Sequence, residues 1–195
     1  GLGATLNAGD HLVLGAGQVL SAMQGMEGVY SSASLSGSLT LDGGSLGFDA
    51  HALLAANSRG NAAISLDSIA IGSGGGVVHF DNYTSLSAGV TYTLASGQGD
   101  WSGLTDQLSS SGLGFYSATY SSNQDGDLLV TLRLNNNAKV WNGKEGASTW
   151  NNYSFGQNPV SMDANSVAVF DDTAEVKVVD ITRSFSQPAI SKIYI

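Results

Sequence analysis

The chain has 195 residues, of which 42% are hydrophobic and only 12% are charged, and its formal net charge is −9. Because 7 lysines and arginines stand against 16 aspartates and glutamates, no nucleic-acid partner is expected, since binding phosphates needs clustered basic side chains. The absence of cysteine excludes disulfides, thiolate metal sites and cysteine nucleophiles.

Hydrophobic residues alternate with polar ones in short runs along almost the whole chain, which is typical of strands. Glycine occurs 26 times and supplies the backbone conformations that tight turns need. The composition therefore predicts an all-β fold of many short strands. One short helix is the exception, at residues 18–26, where Val19, Leu20, Met23 and Met26 have helical spacing.

Residues 36–80 contain pairs of apolar runs separated by tight corners. The runs 39–41 and 46–48 look like two sides of one solenoid rung. The runs 64–66 and 69–71 look like two sides of a second rung. Strands this short gain stability by stacking and burying a continuous apolar face. We therefore expect parallel β-solenoid (β-helix-like) rungs with antiparallel hairpin or cap elements. An antiparallel β-sandwich is the alternative, because no clean repeat period is found.

The pattern of apolar and polar residues changes after residue 86, where the predicted strands become longer. A longer strand is predicted at 88–94, a helical turn near 104–108, and a β-hairpin at 114–132 with Asp125-Gly126 at its tip. Asn135-Asn136-Asn137 is the best linker candidate. We predict a β-rich, solenoid-like module with a closing hairpin at residues 1–135. Residues 136–195 are then the start of a second β-repeat unit, truncated at the C-terminus.

The second unit carries the most specific motifs. They are a Trp141-Asn142-Gly143 turn, a second tryptophan at Trp150, and a β-rich run at 167–172 that ends in Phe-Asp-Asp. This combination resembles the autotransporter-associated β-strand repeats of large bacterial surface proteins. The resemblance implies an extracellular or cell-surface protein, in the passenger region of an autotransporter-like chain, with a role in adhesion or spacing and no recognised catalytic residues.

One candidate metal site lies at the predicted hairpin tip. Asn123, Asp125 and Asp127 place side-chain oxygens at alternate positions, as calcium loops do. The glutamate that completes an EF-hand loop is missing. A hairpin tip without metal is the other interpretation, because Asp-Gly is favoured there for its backbone conformation alone. No other cofactor is expected.

A candidate ligand site is built from aromatic residues. Rings on a β-scaffold can stack against sugars, and the candidates for such a platform are Trp101, Trp141, Trp150 and Tyr153. The competing interpretation places these rings in the core or over the open ends of the sheets, because tryptophan is highly buried on average.

No catalytic site is predicted from the motifs. His11, His51 and His79 lack the close spacing of a zinc motif. A Ser-His-Asp triad is not excluded by the sequence, but the chain has no G-x-S-x-G nucleophile turn. A hydrolase fragment is therefore the third and weakest interpretation.

The leading prediction is a non-catalytic, extracellular, β-rich repeat module of a large bacterial surface or secreted protein, acting as scaffold or adhesin. A carbohydrate-binding module of a secreted glycan-processing protein is the alternative. The expected partners are neighbouring β-repeats of the same polypeptide, with host or environmental glycans as further candidates. Direct insertion into a membrane is not expected, because no apolar run is long enough for a helical span.

Overall fold

A computed structural model describes residues 4–22, 33–97, 101, 103–140, 167–169 and 192–194 of the chain. The chain divides into two compact units, Gly1–Arg133 and Leu134–Ile195. The predicted repeat content of the two units stays a prediction.

The strands of the first unit alternate between two sheets. In chain order they are β1 (Ala4–Gly15), β2 (Val19–Ala22), β3 (Ala33–Asp42), β4 (Ser45–Asp49), β5 (Ile64–Ile71), β6 (Gly76–Asp81), β7 (Thr91–Gly97), β8 (Leu108–Ser111), β9 (Tyr116–Ser122) and β10 (Leu128–Leu134). The larger sheet has the order β1-β3-β5-β7-β10-β9, and the smaller has the order β2-β4-β6-β8. Successive strands from β1 to β8 therefore join different sheets.

Parallel pairing dominates both sheets. In the larger sheet β1, β3, β5 and β7 pair in parallel, and β7 pairs with β10 in the antiparallel sense. All pairs of the smaller sheet are parallel. Parallel neighbours need a crossover connection, and here the connection between two strands of one sheet passes through a strand of the other.

Side chains from both sheets form one buried apolar cluster. Strand β3 contributes Leu39 and Leu41, and β4 contributes Leu46 and Phe48. Phe48 lies opposite Phe80 of β6 in the register, and their ring centroids are 6.0 Å apart. Each fully buried side chain of this size stabilises the fold by about 1.5–3 kcal/mol relative to exposure, so this cluster is the main source of stability in the first unit.

The helix α1 (Ala50–Asn57) begins directly where β4 ends. Its sequence, Ala-His-Ala-Leu-Leu-Ala-Ala-Asn, consists mostly of the two strongest helix formers. Ala50, Ala52 and Leu53 face the core. Asn57 ties its C-terminal end to β7, because its side-chain oxygen accepts from the Thr93 N–H (2.8 Å) and its side-chain nitrogen donates to the Thr93 carbonyl (2.9 Å).

The predicted fold class was wrong. The structure is not all-β with β-solenoid rungs but mixed α/β, because it contains α1 together with one mixed sheet and one all-parallel sheet. The alternative, an antiparallel β-sandwich, fails because most pairs are parallel. The period-two reading overlooked the alanine- and leucine-rich run after Asp49, where helix propensity prevails.

Two local predictions also need correction. The helix predicted at residues 18–26 is not formed over its described part, where Val19–Ala22 is the strand β2, and residues 23–26 lie outside the described residues. Parallel pairing of β2 with β4 outweighs the helical spacing of the apolar residues. The runs 64–66 and 69–71 are not two sides of a corner, since they belong to one continuous strand, β5.

The strand predicted at 88–94 begins later, at Thr91, and is β7, and the two strands of the predicted hairpin are β9 and β10. Strands β9 and β10 are neighbours in the larger sheet. The short turn between them, residues 123–127, can join only antiparallel neighbours. A 3₁₀ turn, Thr105–Gln107, occupies the predicted helical turn, and a second one lies at Tyr83–Ser85.

The second unit is described through three short strands, β11 (Ala138–Val140), β12 (Val167–Val169) and β13 (Lys192–Tyr194). They pair in parallel, in the order β11-β12-β13. Val167 and Val169 are buried. The Trp141-Asn142-Gly143 turn and Trp150, which carry the family resemblance, lie outside the described residues.

Candidate functional site

Of the predicted sugar-stacking residues, the described part of the chain includes Trp101. Its side chain is 2% exposed and belongs to the core cluster, and its carbonyl accepts a hydrogen bond from the Leu104 N–H (2.9 Å). A ring that is buried to this extent has no face open to a sugar. Trp141, Trp150 and Tyr153 lie outside the described residues, so their predicted contact with glycans stays a prediction.

The predicted calcium residues lie together at the turn between β9 and β10. The side-chain oxygen of Asn123 accepts hydrogen bonds from the Asp125 N–H (3.0 Å) and the Asp127 N–H (2.9 Å). Its side-chain nitrogen donates to Asp127 Oδ2 (2.9 Å). Asparagine commonly holds a turn in this way. The Asn123 oxygen is thus engaged with two backbone N–H groups that hold the turn, and calcium binding by Asn123, Asp125 and Asp127 stays a prediction.

A calcium test follows from this geometry. We expect Asn123→Ala to lower the free energy of unfolding by about 1–2 kcal/mol, because several hydrogen bonds of the turn are lost. We expect the melting temperature of the unaltered chain to be the same in millimolar calcium and in EDTA. The neighbouring, exposed Gln124 provides the control, since Gln124→Ala should change little. A calcium-dependent rise in melting temperature that Asp125→Asn removes would establish a cation site instead.

A cluster of polar side chains surrounds the start of α1, and its centre is Asp49. This aspartate is the last residue of β4 and the N-cap of α1. Its Oδ1 accepts hydrogen bonds from the backbone N–H groups of His51 (2.9 Å) and Ala52 (3.1 Å). These groups have no partner within the helix, so an aspartate is favoured there. The helix start thereby fixes the position of a carboxylate whose side chain is only 8% exposed.

A second contact holds the other carboxylate oxygen. Asn82 donates from its side-chain nitrogen to Asp49 Oδ2 at 2.6 Å. Asn82 adopts a left-handed backbone conformation with φ of 54°, which asparagine tolerates better than most residues. It precedes the 3₁₀ turn Tyr83–Ser85, so the same turn that presents Asn82 to Asp49 also presents Ser85.

His51 lies between Asp49 and Ser85. Its Nε2 is 3.1 Å from Ser85 Oγ, and its Nδ1 is 3.6 Å from Asp49 Oδ1. Nδ1 is buried and has no hydrogen-bond partner, since 3.6 Å is beyond hydrogen-bond distance. The serine, the histidine and the aspartate thus follow one another in the order of a nucleophile, a base and an orienting acid, with a hydrogen-bond distance between Ser85 and His51 and a longer separation between His51 and Asp49. We call these three residues the Asp49–His51–Ser85 cluster.

The sequence patterns did not predict this cluster, although His51 was considered and a Ser-His-Asp triad was not excluded. One signal was available: Asp49 followed by an alanine- and leucine-rich run predicts a helix N-cap. That signal would have placed His51 in the first turn, next to the carboxylate. The approach of Ser85 across 34 residues depends on the pairing of β4 with β6, which local patterns do not show.

The other two histidines also contact hydroxyl groups. His79 Nδ1 is 2.9 Å from Ser111 Oγ, and its Nε2 is 3.2 Å from Asp81 Oδ1. His11 Nδ1 is 2.6 Å from Ser38 Oγ. In contrast to Asp49, the Asp81 side chain is 56% exposed.

No protein-family model, curated protein or solved structure matches the chain. The resemblance to autotransporter-associated repeats therefore stays a prediction from the residues alone. Within the described part of the chain, no group of three histidine, cysteine, aspartate or glutamate side chains is placed to hold a metal ion. Among the same residues, no helix combines the length and hydropathy that a bilayer span requires.

Tyr120 of β9 is the titratable group with the most altered environment among the described residues. Burial raises its pKa from 10.0 to about 12, against the smaller, opposite effect of a hydrogen bond with Ser110 Oγ. The two oxygens are 2.7 Å apart. The protonated phenol is therefore the favoured form in the folded state up to strongly alkaline pH.

This pKa shift predicts a loss of stability at high pH. The unfolded chain releases the Tyr120 proton near pH 10, whereas the folded chain keeps it until about pH 12, so the contribution is complete below pH 10 and disappears between these values. The expected loss is up to about 2 kcal/mol. Urea unfolding at pH 9 and pH 12 measures it. Tyr120→Phe should remove this part of the pH dependence, whereas Ser110→Ala should retain it; an unchanged pH dependence in Tyr120→Phe would contradict the assignment.

Proposed function

We propose that the chain is an extracellular, β-rich module of a large bacterial surface or secreted protein, and that it acts as a scaffold or adhesin. This role needs neither catalysis nor a cofactor. The observation that supports it most is the parallel pairing of alternate strands of the chain in two sheets that share one apolar core. Such pairing gives a rigid module whose main-chain hydrogen bonds and buried side chains, rather than a bound ligand, hold it together.

The surface chemistry also supports this proposal. Only 12% of the residues are charged, so hydroxyl and amide groups supply most of the polar surface. Strands β9 and β8 show this composition: the side chains of Ser117, Thr119 and Ser109 are exposed. Hydroxyl-rich surfaces of this kind suit an extracellular protein and offer no basic patch for nucleic acids or anionic lipids.

The proposed partners are neighbouring β-repeats of the same polypeptide. β1 and β2 are the outermost strands on one side of the larger and the smaller sheet, respectively. An outermost strand has backbone N–H and C=O groups on its open side that a further strand can pair with. Val13 of β1 and Val19 of β2 are among the most exposed large apolar side chains, at 48% and 53%.

Localisation is the direct test of this proposal. Antibodies raised against the purified chain should label intact cells of the bacterium that encodes it, and brief protease treatment of those cells should remove the label. Antibodies against a cytoplasmic protein provide the control, since they should label permeabilised cells only. Labelling of the chain restricted to permeabilised cells would overturn the proposal.

The carbohydrate-binding alternative cannot use Trp101, because this residue is buried in the core. A glycan array is therefore expected to show no binding that depends on this residue. Binding that is lost in Trp101→Phe, with stability retained, would favour the carbohydrate-binding alternative.

A further inference from the structure

We propose that Ser85 is a nucleophile activated by His51 and Asp49, and that the Asp49–His51–Ser85 cluster cleaves activated carboxylic esters. This activity is additional to the scaffold role and does not depend on it. The three side chains come from the end of β4, the first turn of α1 and the 3₁₀ turn Tyr83–Ser85. Their contacts are 3.1 Å from Ser85 Oγ to His51 Nε2 and 3.6 Å from His51 Nδ1 to Asp49 Oδ1.

The carboxylate determines which nitrogen of His51 is the base. A neutral imidazole has one protonated nitrogen and one that accepts. If Nδ1 were the bare nitrogen, its lone pair would face the carboxylate of Asp49 in a buried position. A proton on Nδ1 avoids this repulsion, with the carboxylate 3.6 Å away, and leaves Nε2 to accept the proton of the Ser85 hydroxyl. This is the arrangement that activates serine as a nucleophile.

The carboxylate is held firmly. The backbone N–H groups of His51 and Ala52 and the side-chain nitrogen of Asn82 fix both of its oxygens. Its side chain is 8% exposed, so water screens its field weakly. A fixed, poorly screened negative charge next to Nδ1 stabilises the imidazolium that forms when Ser85 transfers its proton.

The contacts of the His79 ring provide an internal comparison. It too touches a serine and an aspartate, Ser111 and Asp81, but the Asp81 side chain is 56% exposed and its charge is screened by water. Ser111 also contacts Nδ1 instead of Nε2. Ser85 is exposed, whereas Ser111 is partly buried. Of these two serines, Ser85 is the one that combines a histidine beside a buried carboxylate with access to a reagent.

The proposed reaction is acyl transfer to Ser85 followed by hydrolysis. Ser85 Oγ attacks the carbonyl carbon while its proton passes to His51 Nε2; the bond to the alcohol oxygen then breaks, and the alcohol leaves with that proton. Water, deprotonated by His51, attacks the acyl-serine, which releases the carboxylic acid and restores Ser85.

The backbone N–H groups of Ser85 and Leu86 already donate to the carbonyls of Asn82 and Tyr83. Because these donors are occupied, esters with good leaving groups are favoured over amides.

The decisive experiment is covalent labelling of the full chain with a fluorophosphonate, which reacts when a serine oxygen attacks phosphorus and fluoride leaves. Peptide mass spectrometry should find the adduct at Ser85, and hydrolysis of p-nitrophenyl acetate should be lost in Ser85→Ala. His51→Gln should slow labelling by at least about 100-fold, which is the lower end of the effect of a general base. Ser111→Ala, the matched control, should react as the unaltered chain does.

Asp49→Asn separates reactivity from folding. The asparagine retains an oxygen that can cap α1 but lacks the charge, so far-UV circular dichroism should be preserved while labelling slows by at least about tenfold. Three outcomes would overturn the proposal: no adduct at Ser85, labelling unaffected by His51→Gln, or equal labelling of Ser85 and Ser111. None of these outcomes bears on surface localisation, so the scaffold proposal can fail or succeed separately.

Discussion

Replacing Trp101 with alanine is expected to lower the free energy of unfolding of the first unit by about 3–5 kcal/mol, which is the usual cost of removing a large buried aromatic side chain. The side chain is 2% exposed and is the largest of the fully buried ones among the described residues. Its removal leaves a cavity in the core cluster that Phe48 and Leu94 belong to. Urea unfolding followed by far-UV circular dichroism measures the effect.

The matched variant Trp101→Phe retains an apolar ring and should cost less than half as much. A residue that served only to stack against sugars would be exposed, and its replacement would change stability little. A loss below about 1 kcal/mol in Trp101→Ala would therefore contradict the core position of this ring and favour the platform interpretation.

Gly112→Ala is expected to destabilise the first unit by about 2–5 kcal/mol, the sum of a strained backbone and a steric clash. Gly112 follows β8 and has a φ of +77°, a conformation that residues with a Cβ rarely adopt. A Cβ at this position would collide with the carbonyl oxygen of Phe80, which is the backbone of β6 and has little freedom to move. The glycine is thus required by the close approach of residue 112 to β6.

A variant at Gly103 separates the cost of the strained backbone from the cost of the steric clash. The φ of Gly103 is +76°, almost the same as that of Gly112, but a Cβ there would meet no atom within 4 Å. Gly103→Ala should therefore show the backbone cost alone, about 1–2 kcal/mol. The difference between the two variants in urea unfolding measures the clash. Equal losses would show that Phe80 does not approach residue 112 as closely as the structure has it.

How much of the fold could be predicted from the sequence depends on how local the determining interactions are. The turn at Asp125-Gly126 and the 3₁₀ turn Thr105–Gln107 follow from nearby residues, and patterns found them. The segment at 19–22 carries a helical spacing, yet it forms β2 because β4 offers parallel pairing. No local pattern contains that information, since the partner lies 26 residues away in the register.

The helix was missed for a different reason. Its determinants are local: Asp49 as N-cap and a run of alanine and leucine. The run is only eight residues long and lies among alternating segments, so the dominant period-two pattern prevailed over it. That error concealed the site as well, because the start of α1 places His51 beside the carboxylate.

The site itself could be predicted only in part. Asn123 and its two aspartates were found because turn chemistry is local, but the sequence does not show that the Asn123 oxygen accepts backbone N–H groups. Contact of His51 with Ser85 depends on strand pairing. Burial of Trp101 depends on the packing of both sheets, which no local pattern specifies.

The central claim is that parallel pairing of alternate strands within two sheets builds the module, and disulfide trapping tests it most directly. The chain contains no cysteine, so introduced pairs can be followed without interference. Val13 of β1 lies opposite Thr40 of β3 in the parallel register, whereas Ser38 is displaced along the strand by two residues. Disulfides need Cα atoms closer than about 7 Å. The parallel pairing of β1 with β3 predicts rapid oxidation of the Val13→Cys/Thr40→Cys variant and slow oxidation of the Val13→Cys/Ser38→Cys variant. Equal oxidation rates, or the reverse order, would contradict this pairing.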